Sequence, residues 1–305
     1  MIETIEIYEN YEVKKHTTFK IGGRVKKAAF PSDINELVSL LKTKEYDCVL
    51  GNCSNVLFSS GDIDKKIIFT EKINSFFVNG CRVHVSCGTK GPVVSSECQK
   101  NSLSGFEFLI GFPGSFGGMI YMNSSAHNQA VSDCIVSVDV YDLSKNTVLN
   151  LKKDELGFKY RTSNIAKKNY IVLSAEFELK KGQAEQINEI MQRNIEFRKI
   201  HQPSLTYPNA GSIFKNPEND SAGRLLDLCE LKGLKEGGAE IFKNHANFII
   251  NTGEATSEDV ITLMYKMFSK VREKYTIELK PEIKYIGNEG TNEAKLWQIM
   301  TKSSI

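Results

Sequence analysis

The chain has 305 residues, 41% hydrophobic and 25% charged, with 39 basic and 37 acidic side chains for a net charge of +2. That composition is globular and excludes a disordered or fibrous chain, and its charge balance gives no reason to expect nucleic acid or an anionic membrane surface as a partner. The length points to two or three domains rather than one core.

The N-terminal MIETIEIYEN is acidic and mixed and lacks a signal-peptide pattern. No apolar run approaches the roughly 20 residues that a membrane span needs. Seven cysteines, Cys48, Cys53, Cys81, Cys87, Cys98, Cys134 and Cys229, form no Cys-x-x-Cys pair. Neither a disulfide framework nor a zinc site is expected, and a reducing cytoplasm fits best. His16, His84, His127, His201 and His245 are scattered without metal-ligand spacing, so no metal is expected.

In chain order, Asp33 and Glu36 have capping-box spacing ahead of a helix with Ile34, Leu37, Val38 and Leu41 on one face. A strand over Cys48 to Gly51 runs into the polar turn GNCSN (51–55), and Ile67 to Phe69 reads as a buried strand. From about Cys81 to Lys180 the pattern is strand-rich. Val83 and Val85 alternate with polar residues, as do Val136, Val138 and Val140, and then Ile171 through Leu179. The glycine-rich stretch GFPGSFGG (111–118) interrupts them. Lys180 to Gln183 reads as a linker into a helix with Ile187, Ile190, Met191 and Ile195 roughly in phase. Pro203, Pro208, Gly211 and Pro217 mark loops. A helix starting at Ser257 turns Val260, Met264, Met267, Phe268 and Val271 to the core, and the residues after Gly287 read as a polar tail with a short helix around Trp297.

Three segments could carry chemistry. Glycine-rich loops let backbone N–H groups approach an anion. GNCSN adds Asn52, Ser54 and Asn55 as donors, and GFPGSFGG adds Ser115. Taken alone, either is more simply a tight turn. Neither matches G-x-G-x-x-G or a P-loop, so a Rossmann site has no support. In TYPNAGSIFKNP (206–217), Ser212, Lys215 and Asn216 fall within five residues, a composition that suits a surface loop and a binding loop equally. Arg161, in FKYRTSN, lies between strands, where an arginine ordinarily makes a surface ion pair. An isolated glutamate such as Glu282, in LKPEIKYIG, ordinarily belongs to a solvated face.

Together these segments resemble the UDP-N-acetylenolpyruvoylglucosamine reductases, in its shorter subtype. The resemblance runs from about Lys15 to Gly287 through HTTFKIGG, GNCSN, LSGFEFLIGFPGSFGGMIYMN, FKYRTSN, FRKIHQPSLTYPNAGSIFKNP, AGRLLDL, KNHANFIIN and LKPEIKYIG, in family order. It implies an α+β fold: a two-part FAD-binding region of the vanillyl-alcohol-oxidase type (1–75 and 76–181), a UDP-sugar domain (182–287) and a tail (288–305). It implies FAD held by Gly51, Asn52, Cys53, Ser54, Asn55, Gly114, Ser115, Gly117, Gly118 and Asn123. NADPH would be the reductant and UDP-N-acetylglucosamine enolpyruvate the substrate, contacted by Tyr160, Arg161, Lys215 and Asn216. The implied catalytic residues are Ser212 as proton donor, Arg161 on the substrate carboxylate, and Glu282, which needs a raised pKa to assist as a neutral acid. A cytoplasmic monomer is expected. Cys53, Ser125 and Asn128 stand where the family usually has glycines, which bears on the flavin loops. Two other functions use the same features: a different flavin oxidoreductase, which would not need NAGSIFKNP or LKPEI, and a non-catalytic flavin or nucleotide-sugar binder, against which the intact Arg161, Ser212 and Glu282 argue.

Overall fold

A computed structural model describes residues 5–204 and 206–302. Contacts group the chain into two units, each assembled from three separate stretches. Unit 1 comprises 1–8, 27–52 and 66–197, and unit 2 comprises 9–26, 53–65 and 198–305. The expected boundaries at 75 and 181 fall inside unit 1.

In unit 1 the main element is a five-stranded antiparallel sheet ordered Thr147–Lys152, Ile135–Asp142, Tyr170–Glu178, Arg82–Ser86, Phe76–Asn79. Strand Tyr170–Glu178 sits at its centre, and its alternating apolar residues were the clearest strand pattern in the sequence. Both its faces are covered over the middle, so Val172 and Ser174 are buried as well as Leu173 and Ala175. In Ile135–Asp142 the alternation is broken by register shifts after Ile135 and Asp139. An extra residue in a strand turns the following side chains over, and Ser137 and Val138 are both buried in consequence. Phe106, Phe116 and Phe177 pack edge-on and tilted at 5.1–5.7 Å in the core beneath.

Helix Ile34–Thr43 begins where the capping pattern places it. Asp33 accepts from Glu36 N–H at 2.9 Å, while the Glu36 carboxylate takes the Ser32 N–H at 2.7 Å. Two expectations are corrected. Lys180–Lys181 is a short strand paired with Leu103–Ser104 rather than a linker. In helix Ala184–His201 the inward positions are Ile187, Met191 and Asn194, whereas Ile190 faces solvent. Asn194 is tolerated inside because its amide donates to Glu107 O at 3.1 Å.

Unit 2 packs around helix Ser257–Tyr275, capped by Thr256, which buries Val260, Leu263, Met264, Met267, Phe268 and Val271. Phe19, Ile21 and Leu57 from the early stretches complete that core. Strand Val56–Phe58 pairs in parallel with Lys284–Ile286. The stretch after Gly287 holds helix Asn292–Thr301, longer than the expected short helix, and it is docked: Met300 is fully buried. Its Glu293 carboxylate accepts hydroxyl hydrogen bonds from Ser59, Ser257 and Tyr285. Among the described residues no helix is long and apolar enough to cross a membrane, and no group of His, Cys, Asp and Glu could hold a metal. Cys81, Cys87, Cys98, Cys134 and Cys229 are free thiols. Burial pushes the Cys87 and Cys98 thiols up to about 12, which keeps them protonated and inert.

Candidate functional site

The expected site residues divide between the units. Gly51, Asn52, Gly114, Ser115, Gly117, Gly118, Asn123, Tyr160 and Arg161 belong to unit 1. Cys53, Ser54, Asn55, Ser212, Lys215, Asn216 and Glu282 belong to unit 2.

In unit 1 the two glycine-rich segments meet. The Asn52 amide donates to Pro113 O, and a Cβ on Gly51 would overlap Ser115 Oγ. Any residue with a Cβ there would displace the Ser115 hydroxyl. The segment expected as one loop over 111–118 is divided, because Phe116–Gly118 form the first turn of helix Phe116–Tyr121. Gly117 N–H donates to Cys87 O at 2.7 Å, and a Cβ there would lie 3.1 Å from that oxygen. A Cβ on Gly118 would meet nothing, so that flank is open. Ser115 is 2% exposed, and its buried Oγ has no hydrogen-bond partner within the protein. Buried polar atoms are normally satisfied. A hydroxyl donor left over beside a backbone cradle of glycines suits an anionic ligand such as a dinucleotide pyrophosphate, so these residues fit FAD.

Asn123 is buried and bonded in both directions: its amide donates to Lys159 O at 3.1 Å, and its Oδ1 accepts from Ser132 N–H at 3.2 Å. Lys159 and Thr162 exchange backbone hydrogen bonds at 3.1 and 3.2 Å and close a turn over Tyr160 and Arg161. Arg161 lies between strands Thr147–Lys152 and Tyr170–Glu178, as expected, and sits in a turn with φ +52. Its guanidinium lies 5.3 Å above the Tyr160 ring and donates from Nη1 to Ser125 Oγ at 3.0 Å.

In unit 2 the Ser212 loop and the Glu282 segment are joined by backbone hydrogen bonds. Glu282 N–H donates to Ile213 O at 2.8 Å, and Lys215 N–H donates to Lys280 O at 2.9 Å. Ser212 and Glu282 are both half-buried. Asn55, expected at the flavin, donates its amide to Glu282 O at 3.1 Å, and Asn55 O accepts from Lys284 N–H at 2.9 Å. Asn216 Oδ1 accepts from Ala222 N–H at 3.0 Å, which ties it to the start of helix Ala222–Leu228.

Sequence reasoning missed two residues here. Asn247 is 3% exposed and clamps the loop. Phe214 N–H donates to its Oδ1 at 2.9 Å, and its amide donates to Phe214 O at 2.8 Å. Lys284 is the other. Desolvation, and then the Lys215 charge, push it below the usual lysine value, which places two cations near one another. Lys284 opens strand Lys284–Ile286, two residues beyond Glu282.

The three departures from glycine have different consequences. Cys53 is buried with φ +46, a left-handed conformation that costs a residue with a Cβ. Asn128, at φ +60, is a side chain that tolerates this region. Ser125 contributes the hydroxyl that Arg161 uses.

Comparisons with known proteins give two family matches, and the first, over 25–152, includes the stretch 53–65 that belongs to unit 2. Residues 25–152 match a family model described as an FAD binding domain, and residues 202–286 match the C-terminal domain of UDP-N-acetylenolpyruvoylglucosamine reductase. A protein of Caldicellulosiruptor bescii named UDP-N-acetylenolpyruvoylglucosamine reductase is 38% identical, with 93% of this chain and 91% of the relative covered. One from Lactococcus lactis subsp. cremoris with the same name is 39% identical, with 92% and 94% covered. The crystal structure of UDP-N-acetylenolpyruvylglucosamine reductase from Thermus caldophilus aligns with a TM-score of 0.78 at 31% identity, over 92% of this chain and 98% of that one.

Proposed function

The chain belongs to the UDP-N-acetylenolpyruvoylglucosamine reductase family, and from that premise we propose that it reduces UDP-N-acetylglucosamine enolpyruvate to UDP-N-acetylmuramate with NADPH, in peptidoglycan precursor synthesis. It is an FAD-dependent oxidoreductase. Its fold is the α+β type with a two-part FAD-binding region of the vanillyl-alcohol-oxidase kind and a distinct C-terminal domain. We assign 1–75 and 76–181 to FAD, 182–287 to the UDP-sugar and 288–305 to the tail, in a cytoplasmic monomer.

The substrate is an enol ether conjugated to a carboxylate. Its reduction adds a hydride at the β-carbon and a proton at the α-carbon. Bound FAD supplies the relay of a hydride equivalent from NADPH, because no side chain is a hydride donor. Gly51 and Ser115 would hold its pyrophosphate in this reading, and Asn52, Cys53, Ser54, Asn55, Gly114, Gly117, Gly118 and Asn123 are the other residues assigned to it.

As hydride arrives, negative charge grows on the α-carbon and its carboxylate. Arg161 stabilises that charge, and its planar fork matches a carboxylate. Glu282 is assigned to hydrogen-bond the enol form, a role that requires its protonated state. Ser212 Oγ–H then protonates the α-carbon. A hydroxyl is a weak acid in water, but the developing carbanion is a strong base and the donor is held in place. Lys215, with Asn216 and Tyr160, binds the substrate phosphates and sugar.

The observation that carries the reading is the pair of backbone hydrogen bonds that hold the Ser212 loop to the Glu282 segment. Stopped-flow measurement of the two half-reactions tests it. Ser212→Ala should leave flavin reduction by NADPH nearly intact and slow reoxidation by substrate about 10²–10⁴-fold, the range for losing a positioned proton donor. Unchanged reoxidation would remove Ser212 from the role.

A further inference from the structure

The conformation of Arg161 is unusual in itself. At φ +52 it occupies the left-handed region, in the second central position of the Lys159–Thr162 turn, where glycine is ordinarily preferred. A left-handed backbone position of this kind persists in a residue other than glycine when its surroundings over-determine it. Two features do so. Asn123 fixes the turn from beneath through Lys159 O. The second is the hairpin Ser125–Ala126 with Gln129–Ala130, paired in register and closed by His127 and Asn128, both left-handed at φ +51 and +60. Such a two-residue turn matches the twist of paired strands, so Ser125 is presented on a well-defined strand. Arg161 Nη1 donates to its Oγ at 3.0 Å and Nη2 reaches its carbonyl at 3.5 Å.

We propose that Ser125 is a positioning residue for the reduction, its hydroxyl fixing the guanidinium plane of Arg161 so that the cation is already aimed when charge develops on the substrate carboxylate. The inference rests on the reading of Arg161 as the group that meets that charge. A preset cation needs no reorganisation during the reaction, which is where electrostatic catalysis gains over solvent. With the hydroxyl removed, the carbonyl contact at 3.5 Å and the Tyr160 ring remain. The lost bond is the shorter of the two to Ser125, and the effect is expected on rate more than on substrate affinity.

The test uses the FAD-loaded enzyme, with NADPH and UDP-N-acetylglucosamine enolpyruvate as probes. Ser125→Ala should slow reoxidation by substrate about ten- to a hundredfold, the scale for a misplaced catalytic group, with KM for that substrate changed less than twofold. Reduction by NADPH should stay within twofold of wild type. Ser125→Thr, which keeps the hydroxyl, should recover most of the rate, and Ser125→Ala should have no further effect in an Arg161→Ala background. A general loss of structure would instead slow both half-reactions alike and leave the threonine variant equally poor, and that result overturns the proposal. So does unchanged reoxidation in Ser125→Ala alongside a slow Arg161→Ala. If Arg161→Ala itself reoxidises at the wild-type rate, the assignment of Arg161 is what has failed. Should the alanine variant not fold, Ser125→Gly provides the same comparison.

Discussion

Asn247→Ala probes the clamp that shapes the Ser212 loop. The Asn247 side chain satisfies both backbone groups of Phe214, at 2.9 Å for the N–H and 2.8 Å for the carbonyl. Phe214 is 1% exposed and Asn247 3%, so no solvent replaces the lost amide. A buried backbone group left unpaired costs roughly 1–3 kcal/mol. Two such groups put the destabilisation at about 2–6 kcal/mol, a large share of the stability of a typical domain. Asn247→Asp keeps the acceptor for the Phe214 N–H but turns a second oxygen toward Phe214 O, so it should recover no more than about half of the loss. The sole tryptophan, Trp297, lies in the docked helix of unit 2 against Tyr285 at 5.7 Å, and its fluorescence during urea unfolding reports on that unit directly. Reoxidation by substrate, measured in the same variant under native conditions, should fall at least tenfold, because Ser212 lies two residues from the released segment. A stability change below 1 kcal/mol in Asn247→Ala would refute this account of the loop.

Two further outcomes follow from the geometry. Gly51→Ala places a methyl on Ser115 Oγ; purified protein should retain less than a tenth of the wild-type flavin by absorbance, and full flavin content would show that the loop is not the cradle. The second concerns pH. Burial lowers His245 below the usual histidine value of about 6.5, and its Nδ1 accepts the Asn247 N–H at 3.2 Å, a role for the neutral ring. A depressed folded-state value means stability that is complete above about 6.5 and lost as pH falls through the lower folded value. Urea midpoints measured at pH 5 and 7.5 should differ more in wild type than in His245→Gln; equal differences would exclude His245 as the source.

What was legible in the sequence was local. The Asp33–Glu36 cap, the alternation through Phe177 and the helical phase from Val260 to Val271 each depend on residues a few positions apart, and each element formed accordingly. The amide clamps were not legible. Asn247 reaches back 33 residues, Asn123 forward 36 and Asn55 forward 227. No periodicity marks such a residue, because its partners are backbone atoms supplied by a distant turn. Lys180–Lys181 looked like a linker for the same reason: a two-residue strand is defined by Leu103–Ser104, not by its own composition. The resemblance to a family supplied Ser212, Arg161 and Glu282 as candidates. What holds them comes from distant parts of the chain, including the Ser125 hydroxyl at a position where the family pattern suggested glycine.

The interleaving of the two units has a consequence in time. Stretches 9–26 and 53–65 belong to unit 2, yet the rest of that unit begins only at residue 198. During synthesis at about 5–20 residues per second, the 132 residues from 66 to 197 separate them from their partners by about 7–26 s. Phe19, Ile21 and Leu57, destined for the unit 2 core, spend that interval without it. Thr18 waits likewise for the Asn209 carbonyl 191 residues away. Unit 1, whose long stretch 66–197 is continuous, can collect most of its core while the chain is still emerging. The nascent protein thus passes through a stage with one unit largely assembled and three large apolar side chains held in reserve, the stage at which a chaperone has most to offer it.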